Sequence, residues 1–391
     1  MSSISPQSGK QVLFASMLLM MVFGSIHVFS IFLEPMEAQF KASRSAVSLI
    51  YSLSLVTLTI SVFFGHKLYG LMSPALFVVA TCLLAVFGLC ITAFSNHLLL
   101  AYLGFGVIFG FANGLGYGYT LHMCAQSNKQ RQGLAIGLIT ASYALGPVLM
   151  PWPLSYAIQQ FGLTGALLAF VTVIILIMPI AAFAFHLSGS RLQLAAVDKD
   201  NLASNKNNNP NLVRMLWLSY GLAVTAGLMT LGHATAIAKT GGVSNQLIVI
   251  APIIIAVFNI CGSLLGGWMV DKFSVKTSLI ALPLLSAISL FALSQFLSGQ
   301  SILIGLAAVG FTYGAIIAAY PAVIAVLFGS LNSIKIYGLV FTAWGAAGFF
   351  GPWFAGILYD NSGNYTLALL IAAIAGLLSA VVAYFVRDNT N

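Results

Sequence analysis

Long apolar runs, broken by short polar or Gly/Pro-rich clusters, are the dominant pattern of this 391-residue chain. A helix that crosses a bilayer needs about 20 mostly apolar residues. By that measure the runs predict spans at 11–33, 46–66, 73–95, 97–121, 132–158 and 163–188. A second set follows at 213–237, 245–270, 277–297, 300–328, 336–358 and 365–386. The fold class expected is therefore an all-α polytopic membrane protein, with twelve transmembrane helices in two six-helix bundles. The expected domains are an N-terminal bundle over 1–188, a cytoplasmic linker over 189–212 and a C-terminal bundle over 213–391. The linker holds Asp198, Lys199, Asp200 and the run Asn205-Lys206-Asn207-Asn208-Asn209-Pro210, a composition that suits a flexible chain. The first apolar run is longer than a signal-peptide core and lacks a small-residue cleavage site, so it reads as a retained helix.

The two sets repeat each other. Gly110-Phe111-Ala112-Asn113-Gly114 in the fourth span matches Gly310-Phe311-Thr312-Tyr313-Gly314 in the tenth, at an offset of 200. Gly133-Leu134 leading to Gly146-Pro147 matches Gly338-Leu339 leading to Gly351-Pro352, at an offset of 205. A duplicated six-helix unit is a recurrent transporter design, in which rocking of the halves gives alternating access to a midplane site. Gly106, Gly110, Gly114 and Gly118 recur every four residues and line one helix face, where a neighbouring backbone can approach closely. The two Gly-Pro pairs loosen backbone hydrogen bonding and permit a bend.

Composition narrows the function classes. Hydrophobic residues make up 60% and charged residues 6%, against about 25% charged in a soluble domain. Most of the surface therefore faces lipid. The net charge of +8 is scattered through short gaps between apolar runs rather than gathered with aromatics, which reports topology and implies no nucleic-acid partner. With both termini inside, only Lys41, Arg44 and Lys239 of the 15 Lys and Arg residues lie outside. The expectation is a multi-pass protein of the inner or plasma membrane with both termini cytoplasmic. Cys82, Cys90, Cys124 and Cys261 lie in or at the ends of apolar runs without Cys-x-x-Cys spacing, so neither a disulfide framework nor a metal site is implied, and no cofactor is expected. The chain lacks a phosphate-binding Gly-x-x-x-x-Gly-Lys-Ser/Thr loop, which argues against an ATP-driven pump. No His-x-x-x-His or acidic pair falls within a span, which argues against an intramembrane enzyme.

Ionisable groups inside a membrane are costly and functional by default. No Asp or Glu lies securely within a span, but His27 falls in the first and His233 in the seventh, at an offset of 206. A neutral histidine donates or accepts a hydrogen bond and takes a proton near pH 6.5. The pair is therefore the candidate for substrate binding and proton coupling; the plainer alternative is a hydrogen-bonded packing role. Further substrate-binding candidates are Asn113, Tyr117, Tyr119, Tyr143, Asn259, Tyr313, Tyr320 and Trp344, because ligand sites combine apolar walls with a few placed polar groups. Any one of them alone serves equally well as a structural residue.

Three stretches carry a family likeness. They are Phe32-Leu33-Glu34-Pro35 through Phe40 and Ser43-Arg44, the fourth-span ending Gly114-Leu115-Gly116-Tyr117-Gly118-Tyr119, and Tyr337-Gly338-Leu339-Val340-Phe341-Thr342-Ala343-Trp344-Gly345 running on to Gly351-Pro352 and Leu358-Tyr359-Asp360. Together they resemble the major facilitator superfamily, and within it the oxalate/formate antiporter and monocarboxylate porter group, over the whole chain at the level of architecture. The resemblance implies the major facilitator fold in a monomer. It also implies secondary active transport of a small organic solute, of the monocarboxylate type, with a proton as candidate partner. The family's loop signature survives as Gly267-Trp268-Met269-Val270-Asp271-Lys272, ending at Lys276, and implies cytoplasmic gating by Asp271 and Lys272. After the second span it is reduced to Gly65-His66-Lys67. Ser263 and Trp344 stand where carboxylate-carrying relatives place basic residues, and Val22-Phe23-Gly24-Ser25-Ile26-His27 lacks the opening signature of monocarboxylate porters. These departures keep a second reading open: a porter for a neutral, zwitterionic or larger metabolite, such as an amino acid, siderophore or lipophilic compound.

Overall fold

A computed structural model describes residues 6–128, 132–190, 210–295 and 298–386, with the side chains at 6–7, 132–134, 271 and 329–335 outside the described set. The chain is divided into two compact units, one of Met1–Ala42 with Leu49–Leu194 and the other of Ser43–Ser48 with Ala195–Asn391. Most of the linker expected at 189–212 lies outside the described residues.

The first unit opens with α1 (Pro6–Gly24), which tightens into a 3-10 segment, Ser25–Ile31, before the short α2 (Leu33–Phe40). Helix α3 (Arg44–Gly65) follows, then α4 (Pro74–Ala93). The fourth span enters through α5 (Leu98–Ala101), passes through a π-helical segment, Tyr102–Phe109, and continues as α6 (Gly110–Ser127). Helices α7 (Gln132–Leu149) and α8 (Pro151–Ser188) complete the unit. The apolar stretch Ala135–Ser188 covers 54 residues, about 80 Å at 1.5 Å per residue against a hydrocarbon core of about 30 Å. It turns at Gly162, whose φ of 68° only glycine adopts without strain, so it supplies the fifth and sixth spans.

The second unit holds α9 (Pro210–Thr240), α10 (Ile250–Lys272), α11 (Val275–Gln295), α12 (Ile302–Ser362) and α13 (Thr366–Tyr384). The α12 segment runs over 61 residues, yet Trp344 Nε1 donates a hydrogen bond of 3.0 Å to the Tyr313 hydroxyl. A straight helix would hold residues 31 positions apart at about 46 Å. The segment therefore doubles back between them and provides the tenth and eleventh spans.

The glycine repeat fixes how closely these helices cross. Gly106, Gly110, Gly114 and Gly118 all face α3 or the loop after it. A Cβ added at Gly106 would lie 3.2 Å from the Ile50 carbonyl, one at Gly110 2.6 Å from the Ser54 carbonyl, and one at Gly114 would collide with the Leu58 carbonyl. The second unit repeats the crossing. Gly310 and Gly314 of α12 meet the backbone of Ile255 and Asn259 on α10, and Gly262 and Gly266 of α10 meet that of Phe311 and Ala315. In a bilayer, where apolar side chains gain little by leaving lipid, such close backbone packing is what holds helices together.

The structure adds detail at three of the sequence motifs. Helix α3 begins at Arg44, and Arg44 is buried, with 6% of its surface exposed. Gly146-Pro147 precedes the end of α7 by two residues, whereas Pro352 is carried inside α12 without ending it. The reduced signature after α3 is followed by a packed aromatic cluster. Tyr69 is buried edge-on against Phe77 at 5.6 Å and Tyr119 at 5.4 Å, with its hydroxyl over Gly65 and Gly118.

Candidate substrate and proton site

The interruption of α1 places His27 on the 3-10 segment, buried to 8% exposure. Short 3-10 stretches inside a longer helix often mark functional hinges. His27 Nδ1 lies 2.6 Å from the Tyr51 hydroxyl on α3, and its ring stands edge-on to Tyr51 at 6.2 Å and to Tyr143 at 5.6 Å. Tyr143 on α7 donates to Asn113 Oδ1 at 3.2 Å, and Asn113 Nδ2 donates to the Phe23 carbonyl at 2.6 Å. In an unbroken α-helix the amide of residue 27 would bond that carbonyl; where the helix tightens, the buried Asn113 supplies a donor. Tyr117, one turn from Asn113 on α6, packs edge-on to Tyr143 at 5.1 Å. His27, Asn113, Tyr117 and Tyr143 thus come together in the first unit, joined by Tyr51. Tyr119 does not join them. It stacks on Phe77 at 4.3 Å and packs against Phe185, on the opposite side of α6.

In the second unit the Trp344–Tyr313 hydrogen bond forms a pair matching Tyr143–Asn113: an aromatic of the fifth or eleventh span bonds a residue of the fourth or tenth. Phe341 lies parallel to Trp344 at 5.4 Å. Asn259 and Ser263 sit at the α10–α12 crossing, where Ser263 Oγ donates to Asn259 Oδ1 at 3.3 Å and to the Gly314 carbonyl at 3.1 Å. Tyr320 belongs to a separate buried cluster, 2.7 Å from Ser219 Oγ and 4.5 Å ring to ring from Tyr220.

His233 is fully buried on α9. Its Nδ1 lies 2.8 Å from the Tyr365 hydroxyl, and its Nε2 lies 2.8 Å from the Pro352 carbonyl and 3.4 Å from Ser48 Oγ. Arg44 Nη1 donates to the Tyr365 hydroxyl at 3.0 Å, and the guanidinium lies 4.2 Å from the Tyr359 ring centroid. Asp360 closes this group by accepting the backbone amides of Arg44 at 3.0 Å and Ser45 at 2.9 Å, one on each carboxylate oxygen. It is an N-terminal cap on α3, where a carboxylate also meets the positive end of the helix dipole. Its partial burial disfavours the charge, but hydrogen bonds from Ser45, the Arg44 amide and Ser43 outweigh that and hold the carboxyl below the usual carboxylate range.

Sequence reasoning missed Tyr51, Arg44, Tyr365 and Asp360. Of the expected gating pair, Lys272 is exposed at the end of α10, and the side chain of Asp271 lies outside the described residues. Among the described residues no group of three His, Cys, Asp or Glu comes together as a metal site would need.

The Major Facilitator Superfamily family model matches residues 215–391. An uncharacterized MFS-type transporter of Escherichia coli (strain K12) is 25% identical over 329 residues, 82% of this chain and 81% of its own length. The oxalate:formate antiporter of Oxalobacter formigenes is 25% identical over 279 residues, covering 70% of this chain and 66% of its own, just short of two thirds. Monocarboxylate transporter 12 of Mus musculus is 24% identical over 353 residues, 78% of this chain and 70% of its own. Among solved structures, a D-xylose-proton symporter superposes with a TM-score of 0.72 at 18% identity, over 97% of this chain and 98% of its own. The inward open xylose transporter of E. coli gives a TM-score of 0.73 at 16% identity, over 98% and 97%. The two superpositions show the shared fold.

Proposed function

We propose that this chain is a multi-pass membrane transporter of the major facilitator superfamily, whose family model matches residues 215–391, and that it carries a small monocarboxylate-type organic acid together with a proton, by alternating access. The observation that carries this reading is the His27 cluster. A histidine on an interrupted membrane helix is hydrogen-bonded to Tyr51, beside the Asn113–Tyr143 pair. An undissociated carboxylic acid presents one donor and one acceptor, which an amide and tyrosine hydroxyls can match, and a histidine can hold the acid's proton. The relatives named for oxalate, formate and monocarboxylates support the cargo class.

In this reading His27 and His233 handle protons. Asn113, Tyr117 and Tyr143 in the first unit, and Tyr313, Trp344 and Asn259 in the second, are the substrate contacts, while Tyr119 and Tyr320 keep their helices packed. Asp271 and Lys272 gate the cytoplasmic side. The protein acts as a monomer in the inner or plasma membrane, with both termini and the segment 189–212 in the cytoplasm. A second reading, a neutral, zwitterionic or larger metabolite, draws on the family resemblance, which implies that Ser263 and Trp344 replace basic residues of carboxylate carriers. Uptake into proteoliposomes decides between them, with labelled monocarboxylates and amino acids scanned with and without an inward proton gradient. Gradient-stimulated uptake of a monocarboxylate is the expected result. Uptake of amino acids alone, or of none of the acids by folded protein, would transfer the case to the second reading.

A further inference from the structure

The hydrogen bonds around His233 have a direction. The Pro352 carbonyl only accepts, so the Nε2 that faces it at 2.8 Å carries a hydrogen. In the neutral ring Nδ1 is then the acceptor, and the Tyr365 hydroxyl 2.8 Å away donates to it. Having given its one hydrogen to the ring, the Tyr365 oxygen accepts from Arg44 Nη1 at 3.0 Å. Ser48 Oγ gives its hydrogen to the Arg44 carbonyl at 2.7 Å, which leaves it only an acceptor role toward Nε2 at 3.4 Å. The chain of donors runs one way, from Arg44 through Tyr365 and His233 to Pro352. A proton arriving at Nδ1 would turn that nitrogen into a donor, reverse the middle bond and put an imidazolium opposite an oxygen already held by a guanidinium. Arg44 and Asp360 are the charged groups of this cluster. They lie at the two ends of the clasp, because the Asp360 carboxylate grips the amides of Arg44 and Ser45. The fit there is tight, since a Cβ on Gly356 would stand 2.6 Å from the Ser45 Cα.

We propose that Arg44 and Tyr365 are positioning residues that hold His233 as the Nε2–H tautomer and keep a proton off Nδ1 while Asp360 clasps the first turn of α3. Loosening the clasp withdraws Arg44 from Tyr365 and opens Nδ1 to a proton, which makes proton uptake conditional on the state of α3. The inference deepens the reading of His233 as a proton-handling group and rests on it, but its test does not depend on transport.

Nitrogen-15 NMR of the histidine rings in purified full-length protein, with His233→Gln used to assign the signal, reads tautomer and titration directly. The wild type should show His233 with hydrogen on Nε2. Arg44→Gln and Tyr365→Phe should each move its titration midpoint upward by about one pH unit, the effect of losing a nearby charge or an obligatory donor. Tyr365→Phe keeps the ring in place and decides the matter if Arg44→Gln fails to fold. An Nδ1–H tautomer in the wild type, or an unmoved midpoint in the folded variants, overturns the relay. Uptake of labelled lactate over a pH series separates the two proposals. If the midpoints move as expected while His233→Gln leaves the pH profile of uptake unchanged, the relay stands and the coupling role of His233 falls.

Discussion

Replacing Gly24 with alanine should abolish transport and most of the folded protein. Its Cβ would stand 2.6 Å from the Tyr143 carbonyl carbon and 3.0 Å from the Tyr143 Cα, closer than real Cβ atoms come to a backbone. Gly146 faces the same crossing from α7, where its Cβ would lie 2.5 Å from the Ser25 amide and 2.7 Å from the Gly24 carbonyl carbon. Ordinary overpacking costs about 1–3 kcal/mol when side chains can shift. Here the obstacle is main chain on both sides, so α1 and α7 must separate. That movement parts His27 from Tyr143. Gly146→Ala should behave alike. Gly137→Ala on the same helix is the control: it is exposed, has nothing within 4 Å of the added atom, and should stabilise slightly through helix propensity, by about 1 kcal/mol. Thermal melting of purified protein and uptake in proteoliposomes read both outcomes. A Gly24→Ala protein that melts and transports like wild type would mean that α1 and α7 do not cross as described.

Asn113→Leu should lower the uptake rate at least tenfold while leaving a foldable protein. The substitution keeps the volume but removes the donor to Phe23 and the acceptor for Tyr143. Leaving a buried polar group without its partner costs about 1–3 kcal/mol, and about 1.4 kcal/mol is a factor of ten. The loss falls where the 3-10 segment carrying His27 begins, so the orientation of that ring is expected to suffer most. Tyr143→Phe, which removes one of the two bonds, should have a smaller effect. Equal uptake by Asn113→Leu and wild type would remove Asn113 from the site.

Much of this arrangement is legible in the sequence because it is local or periodic. Apolar run lengths predict the spans; the four-residue glycine spacing predicts the close face of the fourth span, and each glycine in it meets α3 or Tyr69. The matched histidines stand in corresponding spans, and each finds a tyrosine hydroxyl at its Nδ1. What was missed is non-local. Asp360 caps a helix that begins 316 residues earlier, and Tyr365 bonds an arginine 321 residues away. No pattern along the chain records such pairings. Arg44 read as a loop charge because the apolar run begins after it, although its burial follows from the groups that surround its head. Tyr117 and Tyr119 are both candidates by residue type, but positions two apart on a helix differ by about 200°, and only Tyr117 reaches Tyr143. The 3-10 segment at His27 and the π-helical segment at Tyr102–Phe109 leave no mark in hydropathy, since they change hydrogen bonding and not composition.

The central claim is that a proton enters the transport cycle at His27. Its most direct test compares two assays of His27→Gln in proteoliposomes: accumulation of labelled lactate driven by an inward proton gradient, and exchange of lactate at equal pH on both sides. The account predicts that exchange continues while gradient-driven accumulation disappears. Accumulation at the wild-type level in His27→Gln would contradict it.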